Sequence, residues 1–278
     1  MANTLTGTPA AAAIYVQVRE HAAALDAPPC LAAVSVGAQP DDRAYLRSIA
    51  QAAEGCGIAV RPVPLSADCA PEALTDTLRA LSTDGAVHGV LLLRPLPGAL
   101  RAQEILNTLD ARKDVDGMTT ASLGALVTGA AGFAPCTAEA CMELLRAHGI
   151  DPAGRRVTIV GRSLVIGRPA ALLLTRADAT VTLCHRKTPD LAARCRDADI
   201  LLAAAGAPGL ITTDFVRPGQ IVLDAGATAL PDGTLRGDVA PDAAAIAVCT
   251  PVPGGIGSVT TALLLRHTVQ AAENLRHF

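Results

Sequence analysis

A chain of 278 residues can bury a large core and lies near the length at which one core gives way to two. Half of the residues are hydrophobic, yet only 2% are aromatic and Trp is absent, so Ala, Leu and Val must build the interior, as suits helices packed on a parallel sheet. A net charge of −3 with no basic tail or Lys/Arg block argues against nucleic acid and anionic membranes as partners. The N-terminus does not read as a signal peptide and no apolar run reaches membrane-spanning length, so a cytoplasmic location is expected. The eight cysteines are scattered, without C-x-x-C or zinc spacing, and are expected as buried reduced thiols rather than metal ligands.

In chain order, Pro9 to Leu25 reads as a helix and Leu31 to Val36 as a buried strand closed by Gly37. Asp41 and Asp42 are expected to cap a second helix from about Arg43 to Gly57. A strand over Ile58 to Val63, a helix over Pro71 to Leu81 and a strand over Val87 to Leu93 follow. This alternation implies parallel strands and right-handed crossovers. Arg94-Pro-Leu-Pro97 is a rigid turn at a strand's C-terminal edge, where open α/β sheets place ligands. After the charged turn Lys113-Asp-Val-Asp-Gly117, a Gly/Ala-rich segment to Gly132 reads as the lobe boundary, and Thr137 to His148 as a connecting helix. A second βαβ series has strands at Val157–Val160, Thr180–Cys184, Ile200–Ala204 and Ile221–Asp224, then a loop over Thr250–Gly257 and a terminal helix from Val259 to Leu275.

The stretch Val157-Thr-Ile-Val-Gly161-Arg-Ser163-Leu-Val-Ile-Gly167-Arg-Pro169 organises this second half: a β-branched run, a glycine turn and a helix-like Ala/Leu run. Glycines let a backbone pass close to a pyrophosphate, and the free N–H groups of the following helix are expected to face the anion. The spacing G-x-S-x-x-x-G-x-P meets only half of the general dinucleotide fingerprint. Where an NAD site carries an acidic residue at the end of the second strand, this chain has His185-Arg186-Lys187-Thr188, and Arg162 adds a cation in the turn. Guanidinium groups bind a 2′-phosphate that a carboxylate would repel, so NADP is expected over NAD.

Several segments match one family in order: Tyr45, Pro95-Leu-Pro97, Lys113-Asp-Val-Asp-Gly117, Pro135-Cys-Thr137, Gly161-Arg-Ser163 with Gly167 and Pro169, Cys184-His185, Gly237-Asp-Val239 and Thr250-Pro-Val-Pro-Gly-Gly-Ile-Gly257. From about residue 10 to its end, the chain resembles the bifunctional methylenetetrahydrofolate dehydrogenase/methenyltetrahydrofolate cyclohydrolase (FolD) family. The resemblance implies a two-lobe α/β subunit, with a substrate lobe over residues 1–130 joined by a terminal helix at 259–278, and a Rossmann-type NADP lobe over 131–258. It implies a folate cleft between the lobes and a homodimer. Tyr45 and Asp116 would be catalytic and substrate-binding, Asp116 holding the pterin's amide and amino edge. Pro253, Gly254 and Gly257 would meet the substrate. Gly161, Arg162, Ser163, Gly167, Arg186 and Ala227 complete the expected cofactor contacts, and no metal is expected.

Departures from the pattern carry further expectations. The family's Tyr-x-x-x-Lys is here Tyr45 with Ile49, and its Gln before Leu-Pro-Leu-Pro is Leu93, followed by Arg94 in place of Leu. Pro135-Cys-Thr137 continues as Ala138-Glu139-Ala140 rather than Pro-x-Gly, and the family Gly-Ile-Asn turn is Gly226-Ala227-Thr228. The only lysines are Lys113 and Lys187, and neither falls on the helical face of Tyr45. Hydride removal from a methylene bridge needs no proton acceptor, whereas hydrolysis of the methenyl cation does. A dehydrogenase whose cyclohydrolase is weak or lost is therefore expected. The alternatives are a catalytically silent folate- or nucleotide-binding paralogue and a dehydrogenase of another pterin.

Overall fold

A computed structural model describes residues 4–275 except Pro231. Its backbone divides into two compact units, Ala13–Cys136 with Thr261–Phe278, and Met1–Ala12 with Thr137–Thr260. The first helix, α1 (Thr8–Ala23), and the last, α10 (Ile256–Leu275), each contribute to both. The elements between run β1 (Cys30–Val36), α2 (Pro40–Glu54), β2 (Ala59–Leu65), α3 (Pro71–Thr83), β3 (Gly89–Leu92), α4 (Gln103–Leu106) and α5 (Thr120–Thr128). Then come α6 (Cys136–Ala147), β4 (Arg156–Val160), α7 (Gly167–Arg176), β5 (Thr180–Cys184), α8 (Leu191–Asp197), β6 (Ile200–Ala203), β7 (Ile221–Asp224), β8 (Thr228–Ala229), β9 (Leu235–Arg236), α9 (Pro241–Ile246), β10 (Val248–Cys249) and α10 (Ile256–Leu275).

In the unit holding residues 13–136, the sheet is wholly parallel in the order β2-β1-β3, with Leu31 opposite both Val60 and Gly89. The apolar run Leu31 to Val34 is buried throughout, as a central strand covered on both faces requires. Pro62 and Pro64 lack ladder donors, and β2 accordingly takes an edge. Helix α2 begins earlier than its aspartates suggest, with Pro40 at its first position. Gln39 is the N-cap, and the carboxylate of Asp42, inside the first turn, accepts the Gln39 N–H at 2.8 Å. The side chain of Asp41 lies outside the described residues.

The Gly/Ala-rich segment after Gly117 is not all loop, because α5 forms within it. Thr119 caps that helix by accepting the Ser122 N–H at 3.1 Å, and Gly129 closes it in the left-handed region at φ 77°. Cap, Ala/Leu content and glycine stop together outweigh the interior Gly124.

The other unit has a parallel five-stranded sheet in the order β5-β4-β6-β7-β10. Counted from β4, this is the doubly wound order 2-1-3-4-5, whose chain reverses direction across the sheet between β4 and β6. Fully buried Ile200, Leu201, Leu202 and Ala203 form its middle. The short elements α8, α9 and the antiparallel pair β8–β9 were not anticipated from the sequence.

Candidate functional site

At the switch point, β4 ends on Gly161, whose φ of 132° disfavours any side chain. A Cβ there would stand 2.0 Å from the Ala204 carbonyl oxygen beyond β6, and a Cβ on Gly167 would stand 2.0 Å from the Gly161 oxygen. The two glycines thus let the turn cross to β6 and α7 start against the turn. Arg162, Ser163 and Leu164 stand exposed between them. Beyond β5, the His185 N–H donates to Thr188 Oγ1 at 2.9 Å and the Lys187 N–H to His185 Nδ1 at 3.1 Å, a tight turn that leaves the Arg186 and Lys187 side chains exposed. A glycine-tight turn with guanidinium groups at the C-terminal ends of adjacent strands fits a dinucleotide bearing an extra phosphate.

One expectation is corrected here. The first-turn amides of α7 are not all free for an anion: Ser163 Oγ accepts the Ile166 N–H and the Ser163 carbonyl accepts the Arg168 N–H, each at 3.1 Å. Ser163 therefore ties the turn ahead of α7, and its hydroxyl hydrogen is left to donate outward.

The neighbouring loops are tied by two aspartates. Buried Asp224, at the end of β7, accepts the N–H groups of Gly226, Asp238 and Val239, each at 2.9 Å. Asp238, also buried, accepts those of Ala205, Gly206 and Ala207 at 2.6, 3.0 and 2.7 Å. Ala227 is exposed beside the anchored Gly226. Thr250 Oγ1 accepts the Asp224 N–H at 2.7 Å and so roots the loop 250–257. Within it, the Gly254 carbonyl accepts the Gly7 N–H at 2.8 Å, and a Cβ on Gly255 would meet the Pro251 oxygen at 2.5 Å. Gly255 serves the loop's own path, while Pro253, Gly254 and Gly257 are exposed.

In the unit of residues 13–136, the charged turn after α4 separates three roles. Lys113 is buried, its Nζ donating to the carbonyls of Leu81 at 3.1 Å and Asp84 at 2.7 Å, and burial holds its pKa below the ordinary lysine value. Asp114 is 1% exposed and accepts from the Met118 N–H at 3.0 Å, the Thr119 N–H at 2.7 Å and the Ser122 hydroxyl at 2.6 Å. Both are structural. Gly117 closes the turn at φ 67°, where a Cβ would strike Ala134.

Asp116 differs: no backbone amide holds its carboxyl among the described bonds, and its pKa is pushed up to about 6. Burial is the main cause, opposed by the Arg94 guanidinium, reinforced by Asp114 and opposed again by His267 and the Cys136 thiol. Tyr45 belongs to the same cluster. Although 40% exposed as a residue, its hydroxyl is pushed well above the ordinary phenol range by burial and then by the Asp116 charge. One helical turn on, Ile49 is 0% exposed, and Leu93 is 7% exposed at the end of β3. The structure therefore brings Tyr45 and Asp116 together with apolar side chains at the two departures.

Arg94, Cys136 and His267 were not assigned from the sequence. Cys136 was quoted only as part of a motif, and His267 lies in a terminal helix whose apolar register gives no sign of a site.

The sequence matches the "Tetrahydrofolate dehydrogenase/cyclohydrolase, catalytic domain" family over residues 5–116 and the "Tetrahydrofolate dehydrogenase/cyclohydrolase, NAD(P)-binding domain" family over residues 135–276. It is 48% identical to "Bifunctional protein FolD 1" of Rhodococcus jostii, covering 98% of this chain and 93% of that one. Among solved structures, the bifunctional FolD enzyme of Campylobacter jejuni superposes with a TM-score of 0.93 at 38% identity, covering 98% of this chain and 99% of the other. The Trypanosoma brucei dehydrogenase-cyclohydrolase, complexed with NADP and an inhibitor, gives 0.92 at 34% identity over 99% and 98% of the two chains. With two domain matches in order and a relative of this identity along nearly its whole length, the chain belongs to the tetrahydrofolate dehydrogenase/cyclohydrolase family.

Proposed function

We propose that this chain oxidises 5,10-methylenetetrahydrofolate to 5,10-methenyltetrahydrofolate with NADP⁺, and that its hydrolysis of the methenyl product is weak or lost. The observation that carries the second half is that the two positions where the resemblance expects Lys and Gln hold Ile49 and Leu93, both buried, while Lys113 is held by two backbone carbonyls. No side chain so placed can activate water, a function that contributes about 10²–10⁴-fold where it is present.

NADP⁺ supplies the hydride acceptor. The residues proposed to hold it are Gly161, Arg162, Ser163, Gly167, Arg186 and Ala227, with the guanidinium groups and the Ser163 hydroxyl on the 2′-phosphate. Asp116 accepts from the pterin's amide and amino edge, and its negative charge favours the cation that develops on the substrate as hydride leaves. Tyr45 orients the substrate from α2. Assembly as a homodimer in the cytoplasm belongs to the same proposal, and eight free thiols suit a reducing compartment.

The test is spectrophotometric: NADP⁺ reduction that depends on methylenetetrahydrofolate, faster than with NAD⁺ at equal concentration. Tight NADP⁺ binding without turnover would instead mark a silent binding protein.

A further inference from the structure

The back of the Asp116 turn is built from side chains that the proposed reaction has not yet used. Helix α10 brings His267, 3% exposed, against the Val115 carbonyl, with Nδ1 2.8 Å from the oxygen. A carbonyl only accepts, so Nδ1 carries the hydrogen and donates it. Phe133 covers the imidazole, with ring centroids 4.9 Å apart and planes tilted by 31°. The Cys136 thiol, 1% exposed at the start of α6, is 3.3 Å from the same carbonyl oxygen and 3.6 Å from His267 Nδ1. It is also within hydrogen-bonding reach of the Asp116 carboxyl.

A thiol has one hydrogen and here two acceptors. The Val115 oxygen already accepts the shorter N–H bond, which weakens it as a second acceptor, and the carboxylate is the better partner for the thiol, since bonds to ionised acceptors are the stronger ones. We propose that His267 is a positioning residue for Asp116: by occupying the Val115 carbonyl it directs the Cys136 thiol hydrogen onto the Asp116 carboxylate and favours the ionised form that engages the substrate.

The clause about substrate rests on the folate-site reading of Asp116; the His267–Cys136–Asp116 coupling does not. Other groups acting on Asp116 are Arg94 beyond β3, Asp114 in its own turn and Tyr45 from α2. His267 also acts on Asp116 through its own charge, and the double variant separates that part from the part carried by the thiol.

Titration of the Asp116 carboxyl carbon by NMR in the ligand-free protein, assigned with D116N, tests it. H267A is expected to raise the midpoint by about half a pH unit, the scale of one lost weak donor. H267N, whose amide keeps an N–H near the position of Nδ1, should shift the midpoint less than H267A does. C136A should also raise the midpoint, and the double variant should shift it by less than the sum of the two single shifts, because part of the His267 effect runs through the thiol hydrogen and the rest through the imidazole's own charge. An H267A midpoint equal to wild type, or fully additive shifts, overturns the coupling. Should H267A not fold, C136S decides: the stronger hydroxyl donor lowers the midpoint, and an unmoved midpoint overturns the proposal.

The acid limb of kcat/KM for methylenetetrahydrofolate should follow the NMR midpoints across the variants. Absence of turnover with the NMR shifts intact would sink the functional reading and leave the coupling standing.

Discussion

The turn after β4 and the turn before α5 both carry proposed site residues, yet they are made in opposite ways. Gly161 and Gly167 work by lacking a side chain, since each occupies a gap that a Cβ would close to 2.0 Å. The surroundings of Asp116 are assembled from side chains sent by α2, the turn after β3, α6 and α10, which are distant in sequence. A backbone-built site tolerates little change, while a side-chain-built site can lose one function and keep its fold. On the proposed reading, that contrast lets the cofactor turn keep its function while Ile49 and Leu93 stand where the resemblance expects polar residues.

The sharpest way to break the comparison is at the turn that should not tolerate change. Gly161→Ala places a Cβ against Ala204 at a φ of 132° and should destabilise its unit by roughly 3 kcal/mol or more. Thermal unfolding and NADP⁺ titration would read this as loss of folding or at least a 100-fold loss of affinity. Native-like binding by this variant would contradict the tight-turn account.

Within the other turn, the two aspartates should separate cleanly. Asp114→Ala strands three donors and should cost about 3 kcal/mol in denaturant unfolding. Asp116→Asn should leave stability unchanged or slightly improved at neutral pH, because the native fold disfavours ionisation of this carboxyl. The sign follows from its raised native pKa of about 6: its contribution to stability is complete below the ordinary carboxylate value of 3.8 and is lost as pH rises through about 6. Substrate capture moves the other way. Because the ionised form accepts from the pterin, kcat/KM should fall below about pH 6 in wild type, and Asp116→Asn should raise the folate KM by about 10-fold or more.

Restoring the departures should test how much scaffold survives. Ile49→Lys with Leu93→Gln should raise methenyl hydrolysis by about 100-fold, the lower end of what a positioned acid/base contributes, with NADP⁺ reduction little altered. Burying a lysine where Ile49 is 0% exposed will also lower stability, so the rate is to be read at a temperature where the variant is folded. The smallest effect is expected at the strand-end cation: Arg186→Ala should raise the KM for NADP⁺ several-fold, up to about 10-fold, and leave that for NAD⁺ nearly unchanged.

What could be read in advance follows the same division. The strands were legible because buried parallel strands are continuous apolar runs, as in Ile200 to Ala203. Helix α5 was hidden by glycines that suggested a linker, although Thr119 and Gly129 at its ends were ordinary caps. The Ser163 bond to the Ile166 N–H depends on a loop path that spacing does not encode. Asp114 and Asp116 are two residues apart with the same chemistry, and only their partners distinguish anchor from site residue. His267 was illegible because what matters is the carbonyl it touches, 152 positions earlier in the chain.

The central claim is that oxidation persists where hydrolysis has failed, and both rates can be measured on one preparation. Methylenetetrahydrofolate-dependent NADP⁺ reduction and methenyltetrahydrofolate hydrolysis are followed side by side, each against its buffer blank. The account predicts clear enzymatic reduction with hydrolysis close to the blank. Hydrolysis far above the blank, at a rate comparable to reduction, would contradict it.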